Sequence, residues 1–419
     1  MQFSDRISRM TVSSTAAVLQ KADQLRATGV SLVDFGAGEP DFPTPDNIKQ
    51  AAVRALDENF TKYTPTGGTR ELREALVERH ARDFGSNFSY EESLITVGGK
   101  QAIFEAVLAT LNPGDEAILP VPYWVSFLDI INYAGGKAVF LETDEAENFA
   151  LRADAVEKVI TPRTRMLILN SPNNPSGSVV PPEEIDKLVA LAKRHNFLLM
   201  SDECYCHFLY DQPPLSLGRF ADRDHVLVVG SLSKTYAMTG WRVGYALGAK
   251  KLLANMLKLQ SHSTSNPTSI AQKAAVEALR GPQDCVHKML SEYHLRRARV
   301  VQGLRAIPGV QCMMPQGAFY AYPNVSAFLH SDGLRDTTRL AEKLLDDVFV
   351  AVVPGPAFGT HAHIRLSYAT SMQNIDEGVR RMAAFFSQFE PKGEVTRKPE
   401  SRPLDTIAAG TRKAADLSA

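Results

Sequence analysis

A lysine set among hydroxyls is the first feature with chemical content. Ser231-Leu232-Ser233-Lys234 follows an apolar run, and Arg242 comes eight residues later in Met238-Thr239-Gly240-Trp241-Arg242-Val243-Gly244. In an open α/β sheet, ligands bind beyond the carboxyl ends of the strands. An amine there suits an anionic cofactor with an aldehyde, which it can take up as a Schiff base. Asp202 ends a second apolar run, in Ser201-Asp202-Glu203-Cys204-Tyr205. A carboxylate at a buried strand end needs a cationic or protonated partner, such as a pyridinium nitrogen. Gly98-Gly99-Lys100 opens a helical pattern. Glycines at a helix start let N–H groups approach a phosphate, and the dipole disfavours the Lys100 charge unless an anion is near. Arg365, in His363-Ile364-Arg365-Leu366-Ser367, has the shape to grip a carboxylate with two bonds. Asn170-Ser171-Pro172-Asn173-Asn174-Pro175-Ser176-Gly177 reads as a rigid turn. Singly, each has a plainer reading: a surface lysine, a capping or ion-paired aspartate, a solvated Lys100, a turn without a ligand, a structural arginine pair.

The elements that must hold these residues follow from periodicity. Ala117 to Pro120, Met166 to Asn170, Phe197 to Ser201 and Val226 to Gly230 are short apolar runs that read as buried strands. Glu183 to His195 reads as a helix, with Ile185, Leu188, Val189 and Ala192 on one face. The interval from Asn170 to Asp202 leaves room for one right-handed βαβ crossover, and repetition of the pattern predicts an α/β domain with a mostly parallel sheet. After Pro282 the pattern changes. A charged helix through Tyr293 to Leu304, short strands at Phe319 to Tyr322 and Val350 to Val353, and a helix at Asn374 to Phe389 predict a smaller α+β domain. The polar tail from Lys392 to Ala419 is expected to be disordered.

Composition narrows the class. At 419 residues the chain suits two domains, and 44% hydrophobic with 22% charged residues is a soluble globular profile. A formal charge of -1 gives no basic field for nucleic acid or an anionic membrane. Met1 to Met10 has no apolar core of a secretory leader, and no apolar run reaches membrane-spanning length. Cys204, Cys206, Cys285 and Cys312 are expected as plain buried thiols, with Cys204 and Cys206 on one side if they lie on a strand. No ordered set of metal ligands is visible, and a cytoplasmic setting is expected.

Taken together and in this order, the motifs resemble the fold-type I aminotransferases that depend on pyridoxal 5'-phosphate, within them the bacterial-type aspartate aminotransferase family of class I. The resemblance runs from about Gln20 to Phe389. It includes Gly36-Ala37-Gly38-Glu39-Pro40-Asp41-Phe42, Lys62-Tyr63-Thr64-Pro65, Pro122-Tyr123-Trp124-Val125-Ser126 and Val353-Pro354-Gly355-Pro356-Ala357-Phe358-Gly359. Pro356 departs from the pattern, which has a small polar residue there.

The resemblance implies a large domain over 44–281 and a small domain from 1–43 and 282–391. It implies that Lys234 carries the cofactor as a Schiff base and acts as general base. Asp202 would face the ring nitrogen, Tyr205 and Asn174 the ring hydroxyl, and Trp124 the ring face. Ser231, Arg242, the N–H groups of Gly99 and Lys100, and Tyr63 from a second subunit would hold the phosphate. Arg365 and Gly38 would hold the substrate carboxylate, with Trp124 and Asn174 beside it. It further implies a homodimer and ping-pong transfer between an amino acid and a 2-oxo acid. Aspartate with 2-oxoglutarate is the first expectation, prephenate the second, and aromatic or alanine donors the third. Lys100 is expected to read the distal carboxylate of such a substrate.

Rival readings differ in specific features. A lyase or cyclopropane-carboxylate synthase of the same fold would keep nearly all these residues. A regulatory module would need a DNA-binding domain before the matched region. A dinucleotide enzyme would want a third glycine where Pro40 follows Gly36-Ala37-Gly38-Glu39.

Overall fold

The computed structural model describes residues 3–11, 14–220, 222–330 and 333–392, with backbone only over 14–20. Beyond Lys392, the tail lies outside the described residues. A seven-stranded sheet dominates the molecule. From one edge its strands are Ser93–Thr96, Gly244–Leu247, Val226–Ser231, Leu198–Asp202, Thr164–Asn170, Glu116–Val121 and Lys137–Glu142. Five neighbouring strands run parallel, and only Gly244–Leu247 runs against its two neighbours. The four runs read as buried strands are all present, each within a residue or two of the observed ends.

These strands are apolar throughout because both faces are covered. Alternate residues divide between two cores. Leu167, Leu169, Leu199, Val226 and Val228 join one cluster, while Met166, Ile168, Met200, Leu227 and Val229 join the other. Each of these side chains is buried, and each contributes about 1.5–3 kcal/mol. The helix Pro182–His195 begins with a proline in its first turn and ends at left-handed Asn196. Its buried Ile185, Leu188, Val189 and Ala192 pack onto the sheet.

A third cluster gathers both ends of the chain. Val33 and Phe35 pack there with Met289, Tyr293, Val300 and Leu304 of the helix Asp284–Arg305, with Tyr320, and with Phe385 and Phe386 of the helix Met372–Phe386. The charged helix begins at Asp284, nine residues before Tyr293, and Val286, Met289, Leu290 and Tyr293 continue its apolar face. The stretch Val350 to Val353 is not one strand. Val350–Ala351 pairs in parallel with Val33–Asp34, while Val353–Pro354 pairs antiparallel with Ile364–Ser367. The run read as Phe319 to Tyr322 narrows to Tyr320–Ala321, paired with the other side of Ile364–Ser367. Among the described residues no helix is long and apolar enough to cross a membrane.

Candidate active site

Three adjacent parallel strands end side by side at Asn170, Asp202 and Ser231. Asn170 pairs with Asp202 in register and donates from Nδ2 to the Asp202 carbonyl at 3.1 Å. The Asn170 side chain also accepts the Asn174 N–H at 2.8 Å, which fixes the following turn. Asp202 is 4% exposed. Burial raises its pKa to about 6, against hydrogen bonds from the Cys204 side chain and N–H and the charge of Lys234. A carboxyl group left this short of counter-charge is one that a cationic ligand would stabilise.

Lys234 sits on a single helical turn, Leu232–Thr235, directly after the strand that ends at Ser231. Its Nζ donates to the Gly38 carbonyl at 2.6 Å. Burial lowers its pKa to about 8; Cys204 and Glu39 oppose the shift, and Arg242 and Arg365 add to it. An amine near neutrality can hold or release a proton within the working pH range.

Arg365 is 3% exposed and comes from the strand Ile364–Ser367. It donates to Asn174 Oδ1 at 3.0 Å and to the Gly36 carbonyl at 2.8 Å. Its guanidinium lies 4.6 Å from the Tyr320 ring centroid and 5.1 Å from that of Phe358. Its Nε is buried without a partner. Among the described residues no carboxylate pairs with it, and its charge is held by dipoles and aromatic faces. Tyr205 connects this end to the lysine: its hydroxyl is 2.7 Å from that of Tyr320, and a Cβ on Gly38 would stand 3.1 Å from the same Tyr320 oxygen. Burial, then the neighbouring Tyr320, pushes the Tyr205 pKa well above the usual phenol range.

The opposite end of the site is built from close backbone approaches. Gly98 (φ +81°) precedes the helix Gly99–Thr110. A Cβ there would lie 2.4 Å from an Arg242 guanidinium nitrogen, and one on Gly244 would lie 2.2 Å from Gly98 C and Gly99 N. Gly99 itself faces Ser231 and the Cys204 sulfur. The free N–H groups of a helix start, a serine and an arginine thus converge on one point. Lys100 follows on the same helix. Its Nζ lies 4.9 Å from the Trp124 ring centroid, and desolvation followed by the Arg242 charge lowers its pKa.

The structure therefore brings together Gly38, Gly99, Lys100, Trp124, Asn174, Asp202, Tyr205, Ser231, Lys234, Arg242 and Arg365. Tyr63 stands apart, 91% exposed. Cys204 and Cys206 lie in the turn after Asp202, not on a strand, and occupy different surroundings. All four cysteines are free; Cys206 and Cys312 are buried and the other two half-buried. Tyr320 and the Gly36 carbonyl were not singled out from the sequence. Tyr320 lies in a two-residue strand with no spacing signal of its own, and a backbone carbonyl has no residue type to read.

The family model described as aminotransferase class I and II matches residues 30–382. The chain is 43% identical over 397 residues to the aspartate/prephenate aminotransferase of Nitrosomonas europaea, covering 92% of this chain and 100% of that protein. It is 39% identical over 384 residues to the aspartate aminotransferase of Bacillus sp. strain YM-2, covering 91% and 98%. The solved structure of Thermus thermophilus aspartate aminotransferase with maleate superposes with a TM-score of 0.88 at 44% identity, covering 92% of this chain and 99% of that one. The fold is that of the fold-type I enzymes. The chain belongs to the aminotransferase class I and II family, and it is an aminotransferase. That family uses pyridoxal phosphate.

Proposed function

We propose that this enzyme moves an amino group between aspartate and 2-oxoglutarate, in ping-pong fashion, with pyridoxal 5'-phosphate held at Lys234. The residues fit that cofactor end to end. The cradle of Gly99, Lys100 N–H, Ser231 and Arg242 suits a phosphate dianion, and the missing side chains of Gly98 and Gly244 are what let Arg242 and the Gly98–Gly99 backbone come this close together. Asp202 suits the ring nitrogen, Tyr205 and Asn174 the ring hydroxyl, and Trp124 the ring face. Bound there, the cofactor supplies an electron sink for the pair left at the amino-acid Cα.

The protein's own groups do the rest. Lys234, released from the cofactor, removes the Cα proton as general base and can return one on the same face. Asp202 holds a proton at the ring nitrogen. Arg365 binds the substrate α-carboxylate, and its bonds to Asn174 and Gly36 fix its plane beforehand. Gly38 would offer its N–H to that carboxylate while its carbonyl accepts from Lys234, and the lack of a side chain leaves room for Tyr320.

The dicarboxylic substrate rests on Lys100. Its ammonium stands at a helix N-terminus against Trp124, and among the described residues it makes no ion pair. Arg242 and the helix N–H groups already face the phosphate position, so this cation is free for the second carboxylate of a substrate. The maleate in the Thermus structure is itself a dicarboxylate. Lys100→Ala is expected to raise KM for aspartate and for 2-oxoglutarate by about tenfold, or about 1.4 kcal/mol. Half-reactions with neutral donors and cofactor affinity should stay as in the parent. Loss of cofactor affinity with an unchanged acidic-to-neutral ratio would assign Lys100 to the phosphate and remove the case for a dicarboxylate.

Prephenate as an acceptor is a second reading, favoured by the relatives in Nitrosomonas europaea and Thermus thermophilus named aspartate/prephenate aminotransferases. A panel of oxo acids with aspartate as donor, read by product, separates the two.

We also divide the chain into a large domain over 44–281 and a small domain from 1–43 and 282–391. The cluster shared by Val33, Phe35, Tyr293 and Phe386 supports this division. We also infer a homodimer, in which the exposed Tyr63 would offer its hydroxyl to the neighbouring subunit's phosphate. Mixing Lys234→Ala with Tyr63→Ala subunits is expected to give activity above both parents, because hybrid dimers regain one complete site. With subunit exchange demonstrated, an activity no higher than the parents' would count against a shared site.

A further inference from the structure

A cluster of polar side chains lies behind the Lys234 turn and takes no part in the reaction described above. It contains Arg79 and Asp83 on the helix Arg70–Phe84, His207, and Thr235 beside Lys234. His207 Nε2 is 2.9 Å from Asp83 Oδ2. Its Nδ1 is 3.3 Å from Thr235 Oγ1 and 3.3 Å from Cys206 Sγ. Arg79 grips the same carboxylate, with Nε 2.9 Å from Oδ2 and a second bond to Oδ1. Burial opposes ionisation of Asp83, but the bonds from His207 and Arg79 outweigh it and hold the carboxyl below its usual range. The other titratable groups lining the cavity at this cluster or touching His207 are His80, Cys206, Tyr236 and Tyr245, and burial keeps all four uncharged at neutral pH.

A carboxylate only accepts, so Nε2 carries a proton in either charge state of the ring. Nδ1 is the end whose role changes. In the neutral ring it accepts the Thr235 hydroxyl; in the imidazolium it donates to it. The two partners belong to the two turns that carry the chemistry. His207 closes the turn that follows Asp202 and includes Tyr205. Thr235, 3% exposed, ends the four-residue helix that carries Lys234. One isolated helical turn is not stable in itself, so its position depends on what its side chains touch. Ala237, just beyond, is held in a left-handed conformation at φ +51°, which an alanine adopts only when its surroundings impose it.

We propose that His207 is a positioning residue of the aminotransferase site: anchored by Asp83, it locks the Lys234 turn to the Asp202–Tyr205 turn through Thr235. The proposal rests on Lys234 as the cofactor-bearing residue. Its test uses the whole enzyme loaded with pyridoxal phosphate. Thr235→Val removes the hydroxyl at constant shape. His207→Gln keeps a group near Nε2 and loses the one near Nδ1, while His207→Asn does the reverse. Thr235→Ser keeps the hydroxyl.

Three quantities are read: the pH midpoint of the visible absorption, kcat and KM separately, and the melting temperature. Thr235→Val and His207→Gln are expected to move the midpoint by about half a pH unit or more. They should lower kcat about tenfold with KM for the amino donor nearly unchanged. Thr235→Ser should lie close to the parent in both, and His207→Asn, which keeps the Thr235 contact and loses the Asp83 anchor, between the parent and His207→Gln. A folded Thr235→Val enzyme with parental midpoint and kcat overturns the proposal. So does a His207→Gln enzyme close to the parent beside an impaired His207→Asn enzyme, since then only the Asp83 contact matters. If Thr235→Val melts lower yet keeps the parental midpoint, the hydroxyl is merely structural and the proposal again fails. A parent enzyme with no cofactor chromophore on Lys234 would overturn the Lys234 reading, and this one with it.

Discussion

Borohydride reduction of the enzyme loaded with pyridoxal phosphate is expected to fix the cofactor on a single peptide, the one containing Lys234. Lys234→Ala should lose both the label and the turnover. Two losses coincide in this variant. The covalent anchor goes, and so does an amine at the strand ends whose burial brings its pKa to about 8. Removing a general base alone costs about 10²–10⁴-fold. Small amines added to Lys234→Ala should restore part of the rate, because they can carry the proton without the anchor. The peptide map decides the matter: a label on any other lysine would end the assignment on which the proposed function stands.

Asp202→Asn is expected to retain the cofactor weakly and to lose turnover by about 10³-fold or more, about 4 kcal/mol. Asp202 is enclosed at the end of its strand, with Cys204 as a donor and, among the described residues, no close cation besides Lys234. Burial raises its pKa to about 6, so the carboxylate is costly unless a protonated nitrogen faces it. Asparagine keeps the shape and loses the charge that keeps the ring nitrogen protonated. Absorbance and kcat measured on the same sample separate weak loading from slow chemistry. A fully loaded variant with near-parental kcat would remove Asp202 from the mechanism.

Much of the site could be read from the sequence because its residues end strands. Asn170, Asp202 and Ser231 each close an apolar run, and a polar residue at such a point is conspicuous whatever the tertiary fold. The helix Pro182–His195 was legible through its one-sided apolar pattern. The elements missed have weaker local signals. Ser93–Thr96 has four residues, and Lys137–Glu142 lies at the sheet edge with exposed ends. The short strands around Tyr320 and Val350 could be read, but their partners, Ile364–Ser367 and Val33–Asp34, lie elsewhere in the chain, which no local pattern encodes. For the same reason Gly36 and Tyr320 were invisible as partners of Arg365 and Tyr205. His207 was hidden differently: between Cys206 and Phe208 it reads as one more residue of a buried turn, and only the fold brings Asp83 to it.

The two ends of the site also differ in how much chain must exist before they can form. The anion cradle is complete once residues 98 to 244 have folded, because Gly98, Gly99, Ser231, Arg242 and Gly244 all lie within that span. The carboxylate grip joins Arg365 to Gly36 across 329 residues. Closing the longer span costs only a little more entropy, well under ~1 kcal/mol for a loop somewhat over twice as long. The difference is one of timing. During synthesis the cradle can assemble while the last third of the protein is still being made, whereas the grip waits for the strand Ile364–Ser367 to reach the segment at Gly36. A nascent chain thus acquires the means to hold a phosphate before it can hold an amino acid.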